Sequence, residues 1–163
     1  MKGPLIVIVA GSRNHPDPGF ASYTLARLIL EEIVRNVPVI VRHGACPGEK
    51  SVDQEIHRWI GAVGQFAGVT EEPYPADWDH CTTDCPADAA HRRRKKPGDV
   101  HHPGLLATYC PAAGPRRNAE MVATLPRAHQ ALVFPSPRGP SYGTRNCARL
   151  CRQARIEVRE IKP

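Results

Sequence analysis

Short apolar runs alternate along the chain with stretches of helical periodicity. Leu5 to Ala10 (LIVIVA) is continuously apolar, which predicts a strand buried on both faces, as in a parallel sheet. Gly11 to Gly19, with Pro16 and Pro18, predicts a loop. Leu25, Leu28, Ile29 and Ile33 then recur on one helical face. Val37 to Arg42 predicts a second strand. The glycine loop His43 to Lys50 leads to Ser51, a predicted N-cap. The helix behind it would bury Val52, Ile56, Trp59, Ile60 and Val63. Phe66 to Tyr74 predicts a weaker third strand, interrupted by Gly68 and two glutamates. Beyond His80 to Pro111, which lacks periodicity, Met121, Val122 and Leu125 predict an inward helix face. Ala131 to Phe134 predicts a strand, and Cys147, Leu150, Cys151 and Ala154 a helical stripe. Ile156 to Ile161 predicts the last strand. The order β-α-β-α-β-insert-α-β-α-β predicts an α/β three-layer sandwich. Its five-stranded sheet is mostly parallel, with helices on both faces and an irregular Cys/His-rich insertion.

Composition narrows the class. A length of 163 residues with 41% hydrophobic residues suits one domain, 1–163, interrupted by the insertion 80–111. The net charge of +6 favours anionic partners. Leu5 to Ala10 is too short for a signal-peptide core and ends in a glycine turn. No segment approaches the ~20 apolar residues of a membrane span, so a soluble cytoplasmic protein is expected. Its six cysteines are then thiols or metal ligands rather than disulfides.

Candidate chemistry collects at strand ends. Gly11 permits a sharp turn that puts Ser12 and Arg13 at the carboxyl edge of the sheet, a hydroxyl and a guanidinium suited to phosphate. The next strand end carries His43 and Gly44, and Asp53 sits in the following helix turn. There it would orient a ribose hydroxyl or simply favour the helix dipole. Arg116, Arg117 and Asn118 open a third helix. Two cations at a helix N-terminus oppose its dipole, so a bound anion would account for them better than helix stability does. Pro135 follows a strand, and Gly143-Thr144 offers N–H groups and a hydroxyl at a strand-to-helix turn.

The ordered set VAGSRN, HGACPGEKSVDQ, YPADWD (with Asp77 and Trp78), AGPRRNAEMV and the GT of SYGT after ALVFP resembles the SLOG superfamily. Those are Rossmann-like nucleotide-binding proteins, and the similarity is to the YspA-like set common in bacteria and phages. The resemblance covers nearly the whole chain outside the insertion. It implies a doubly wound fold and a nucleotide-derived ligand that is sensed, sequestered or processed. The Lonely Guy branch hydrolyses nucleoside monophosphates, using an arginine in an R-K-x-x-M segment and a glutamate in P-G-G-x-G-T-x-x-E. Arg117 and Met121 fit the first segment. The second departs, because Cys147 stands where the glutamate would be. A thiol is a poor substitute for a carboxylate beside an oxocarbenium-like centre, and Glu120 is the remaining catalytic candidate. The DNA-processing protein A branch implies single-strand binding as a further alternative, which the low aromatic content of 6% disfavours. A homo-oligomer is compatible with all of these readings.

The insertion holds Cys81, Cys85 and His91, then His101, His102 and Cys110. Such ligands suit tetrahedral zinc. A structural site of Cys81, Cys85, His91 and Cys110 would pin an otherwise improbably long loop, with His101 or His102 as alternatives to His91, and the resemblance supports this set. Without a metal the segment would be a loose loop with incidental thiols. Arg92 to Lys96 is a basic run, offset by Asp84, Asp88 and Asp99 and read as a solvated loop rather than a nucleic-acid patch.

Overall fold

The computed structural model describes residues 3–87, 89–139 and 141–162. Asp88, counted among the acids of the insertion, lies outside them. Five parallel strands form one sheet in the order β3-β2-β1-β6-β7. They are β1 (Leu5–Gly11), β2 (Val39–His43), β3 (Val69–Pro73), β6 (Gln130–Phe134) and β7 (Glu157–Glu160). The central strand β1 pairs in register with both neighbours, Ile8 lying opposite Arg42 on one side and Ala131 on the other.

Side-chain alternation along β1 builds the two cores. Val7 and Val9 face α1 (Gly19–Leu28) and α3 (Val52–Ala62), packing with Leu25, Ile29 and Ile56. Ile6 and Ile8 face α4 (Ala113–Ala123) and α5 (Tyr142–Gln153), packing with Met121, Cys147 and Cys151. The result is the α/β three-layer sandwich that the pattern predicts, with a sheet that is parallel throughout. Ser51 caps α3 as expected, its hydroxyl accepting from Gln54 N. No helix among the described residues is long and apolar enough to cross a membrane.

Four local expectations are corrected. The first helix stops at Leu28, and a separate short helix, α2 (Leu30–Val34), carries Ile33. Val63 and Leu125 are exposed just past the ends of their helices. Phe66 is exposed in a 3₁₀ turn ahead of β3. The insertion is not wholly irregular, for β4 (Arg93–Arg94) pairs antiparallel with β5 (Thr108–Tyr109). The pairing is extended by Lys95 N donating to Ala107 O at 2.9 Å. With almost no apolar surface to bury, this segment still has to satisfy its backbone donors, and local pairing does so.

Gly11 marks a close approach between sheet and helix. A Cβ there would fall inside the side chain of Val52, the first residue of α3. Gly11→Ala is expected to lower stability by roughly 1–3 kcal/mol, the scale of an overpacked core. Gly61→Ala, in open space on α3, is expected to be neutral or stabilising. Urea midpoints at unchanged m check both, and equal midpoints for the two variants would contradict this packing.

Candidate functional site

The chain leaves β1 towards β2 and leaves β6 towards β7, so the connections diverge where β1 and β6 lie side by side. Such a switch point opens a crevice at the carboxyl ends of the strands. A cleft of about 850 Å³ occupies it here. Gly11, Ser12 and Arg13 reach it from β1, while Gly44 and Asp53 reach it from the loop and helix after β2. Trp78 lines it from the segment before the insertion. Arg117 and Asn118 line it from α4, and Gly143 and Thr144 from α5. Arg13, Arg117 and Thr144 therefore share one cleft, as expected of residues at three strand ends.

The cleft is cationic. Arg13, Lys50, Arg93, Arg117 and Arg138 line it, against Asp53 as the one acidic side chain among the described lining residues. The Arg117 guanidinium lies against Gly44, where a Cβ would collide with it. Its Nη1 donates to Gly44 O and, at 3.0 Å, to Tyr74 O. Its Nε is buried without a hydrogen-bond partner among the described residues, an unsatisfied donor of the kind that is costly to leave unpaired. Burial pushes the Asp53 pKa up, against the pull of the Arg117 and His43 charges, and Asp53 accepts from Cys46 N at 3.1 Å. Neither α4 nor α5 has a side-chain cap. The Ser141 hydroxyl accepts from Ser136 N instead, at 2.9 Å. The first N–H groups of α5 are thus left without a side-chain acceptor at the cleft wall.

Other predicted site residues lie elsewhere. His43 is buried behind the cleft, its Nε2 2.9 Å from Glu71 and its Nδ1 accepting from Ala45 N. It shapes the loop that carries Gly44. Asp77 is exposed and accepts from His80 N and Nδ1. Pro135 follows β6 without lining the cleft, and Glu120 is exposed. Arg116 turns away to donate to Cys85 Sγ at 3.3 Å, Cys110 Sγ at 3.5 Å and His80 O at 2.9 Å. A helix places successive side chains about 100° apart, which separates Arg116 from Arg117. Asn118 donates to Gly143 O and Asn146 Oδ1, tying α4 to the start of α5. Cys147 lines the cleft as a protonated thiol, because its contact with Cys151 and its burial push its pKa far up.

Sequence reasoning missed His102 and Tyr109 as lining residues. They approach from the insertion, where no periodicity signals a direction. It also read Arg92 to Lys96 as uniformly solvated. Arg92 instead donates to Thr108 Oγ1, Thr108 O and Asp79 O, and Lys95 to Gly104 O.

Cys81, Cys85, His91 and Cys110 form a group that could hold a metal ion, their ligand atoms all within 4.8 Å of one another. Cys110 is buried, with its Sγ 3.6 Å from Cys85 Sγ and 3.4 Å from His91 Nε2. Burial opposes ionisation of Cys110, but hydrogen bonds from Arg116 and the neighbouring thiols outweigh it and bring its pKa down to about 7. A ready thiolate suits a soft metal. His101 and His102 are engaged elsewhere, by Pro47 O and by Asp99. Cys147 and Cys151 are core residues.

Comparison with family models, with curated proteins and with solved structures gives no match to this chain.

The His43–Glu71 contact behind the cleft makes stability depend on pH. Burial opposes the charge of Glu71, yet hydrogen bonds from His43 and His57 prevail and lower its pKa from 4.5. A carboxylate depressed on folding stabilises the fold above its unfolded pKa, and that contribution is lost as pH falls through the lower folded value. Glu71→Gln is expected to cost about 1 kcal/mol near neutral pH. The difference from the unsubstituted chain should close as pH falls below 4.5. Thermal melts across that range check it, and a penalty independent of pH would refute it.

Proposed function

We propose that the protein binds a nucleotide or nucleotide-derived ligand at the carboxyl edge of its sheet, and that Cys81, Cys85, His91 and Cys110 hold a structural zinc. The observation that carries the first part is the cationic cleft at the switch point, with five cations against one buried acid. Arg13, Arg117 and the start of α5 suit the phosphate. The unpartnered Arg117 Nε would gain an acceptor. Asp53 suits a ribose hydroxyl. The resemblance to the SLOG superfamily points to the same ligand class. Three sulfurs and an imidazole are donors that favour tetrahedral zinc over harder cations, and free thiols fit a cytoplasmic setting.

The phosphoribohydrolase alternative is weaker. The position of its glutamate is held by Cys147, kept protonated in the core, and Glu120 is exposed away from the cleft. Single-strand binding is weaker too, because Arg92 and Lys95 are spent on contacts inside the insertion.

Calorimetry with AMP, ADP-ribose, NAD and cyclic dinucleotides is expected to show saturable binding of at least one of them. Arg117→Ala should weaken that binding by about 1.5–3 kcal/mol, the scale of a charged hydrogen bond. Little free base should be released from nucleoside monophosphates. Rapid, Arg117-dependent base release would make the hydrolase reading correct, with Asp53 as the carboxylate to replace first.

For the metal, elemental analysis of purified protein should find about one zinc per chain, and Cys110→Ser should open the segment around the insertion to protease. Metal-free protein with undiminished protease resistance would refute a structural zinc.

A further inference from the structure

The cleft has an aromatic wall, built by Trp78 just before the insertion and by His102 and Tyr109 within it. Tyr109 and His102 stack with ring centroids 3.8 Å apart at 9°. Trp78 stands edge-on to both, at 4.6 Å from His102 and 5.9 Å from Tyr109. All three line the cleft. His102 covers one face of Tyr109, and the half-buried tyrosine lines the cleft. Tyr142, at the start of α5, also lines the cleft, exposed and with the Arg145 guanidinium over its ring at 5.2 Å.

Neither apolar core includes this wall. Its supports run instead through the Cys/His group. Tyr109 directly precedes Cys110, and Trp78 lies three residues before Cys81. Cys110 N donates to Trp78 O at 2.8 Å, joining the two wall segments. Arg92, next to His91, clamps Thr108 to Asp79 with bonds of 2.9–3.0 Å. The phosphate end has a different origin. Gly11 ends β1, Ser12 and Gly44 directly follow β1 and β2, and Gly143 and Thr144 lie in the first turn of a helix packed on the sheet. Hydrogen bonds join the two ends through adjacent histidines: Arg13 Nη1 lies 3.1 Å from His102 Nε2, and His101 Nδ1 lies 3.1 Å from Pro47 O in the loop that carries Gly44, with His102 Nδ1 on Asp99 at 2.7 Å.

From this division of supports we infer that the Trp78–His102–Tyr109 wall is the subsite for the planar base of the ligand, and that the metal held by Cys81, Cys85, His91 and Cys110 sets its geometry. Metal occupancy then controls affinity for the base and leaves affinity for the phosphate largely intact. The inference rests on the nucleotide reading of the cleft. The physical reason is that a base stacks on an aromatic face only if that face is already in place. Here the Trp78 indole rests on Gly114 of α4, but His102 and Tyr109 belong to neither apolar core and lose the Cys110 support once the ligand sulfurs are free to separate. Binding is reciprocal, so a stacked base should also retain the metal more tightly.

The experiment compares AMP and GMP with ribose 5-phosphate by calorimetry, on zinc-loaded protein and on the same protein after chelation. It uses a Trp59→Phe background, in which Trp78 is the only tryptophan. Chelation is expected to weaken binding of the better nucleotide by about tenfold or more, the scale of one base stack, and that of ribose 5-phosphate by no more than about threefold. Trp78 emission should shift red and return when zinc is restored. In zinc-loaded protein Tyr109→Ala should reproduce the selective loss with zinc content unchanged, and Tyr109→Phe should restore affinity. Equal losses for nucleotide and ribose 5-phosphate would overturn the inference, as would nucleotide affinity that survives chelation or Tyr109→Ala. Loaded protein that binds ribose 5-phosphate and the nucleotides equally well would overturn the base subsite alone. Loaded protein that binds none of them would overturn the nucleotide reading and the subsite with it.

Discussion

Parallel pairing of β1 on both its edges is the constraint from which the rest of this structure follows. A strand with neighbours on both sides and helices over both faces must be apolar throughout, as Ile6 to Ala10 are. Parallel neighbours in turn require crossover connections, and these carry every following helix back over the sheet. Because the connection after β1 and the connection after β6 run to opposite sides, their strand ends are left uncovered between them. The cleft is therefore a product of chain path, and its lining consists of whatever residues stand at those ends. Gly11 keeps α3 close to the sheet, and Gly44 leaves room for the Arg117 guanidinium.

The cleft concentrates positive charge in a place where the fold itself supplies more of it. Uncapped helix ends and guanidinium groups would repel each other in an empty crevice, and folding gains nothing from the arrangement. Asp53 relieves part of this repulsion, but its own burial works against its charge. A sheet edge that keeps such an imbalance is better matched to an anion than to water. Asp53 is the one carboxylate among the described lining residues of the same crevice, and His102 there is tied to Asp99 and Arg13. Cys147, at the floor, belongs to the core between α4 and α5 as much as to the cleft. Attraction for phosphate and the means of cleaving a glycosidic bond are separable properties, since only interactions gained in the transition state accelerate a reaction.

The insertion obeys different physics from the sandwich. It has few apolar residues to bury and leaves Val100, Leu105 and Leu106 exposed. Order there comes from directional contacts: a two-residue β pair, the Arg92 clamp, the Asp79 carboxylate accepting from Leu105 N, and the convergent sulfurs. Such a segment is held by a few strong local interactions and is sensitive to the loss of any one. Its position against the cleft passes that sensitivity to the cleft's own lining, through His102 and Tyr109.

Periodicity by itself determined the α/β alternation, the five-stranded sheet and most of both cores, because burial on one face of a helix or both faces of a strand leaves a repeat in the sequence, whereas the helix ends at Leu28, Val63 and Leu125 carry no such mark. Spacing and ligand chemistry also brought out Cys81, Cys85 and Cys110 with a histidine, because soft donors in a segment without an apolar pattern have few other uses, and the tertiary structure placed His91 with them rather than His101 or His102. Direction was decided only by the tertiary structure. Arg116 and Arg117 are adjacent in sequence, and the rotation of α4 sends one to the thiols and the other to the cleft. His43 reads as a strand-end ligand residue, yet pairing of β2 with β3 turns it onto Glu71. His102 and Tyr109 reach the cleft because the insertion folds back over the sheet edge, a long-range contact whose residues carry no repeat that could announce it.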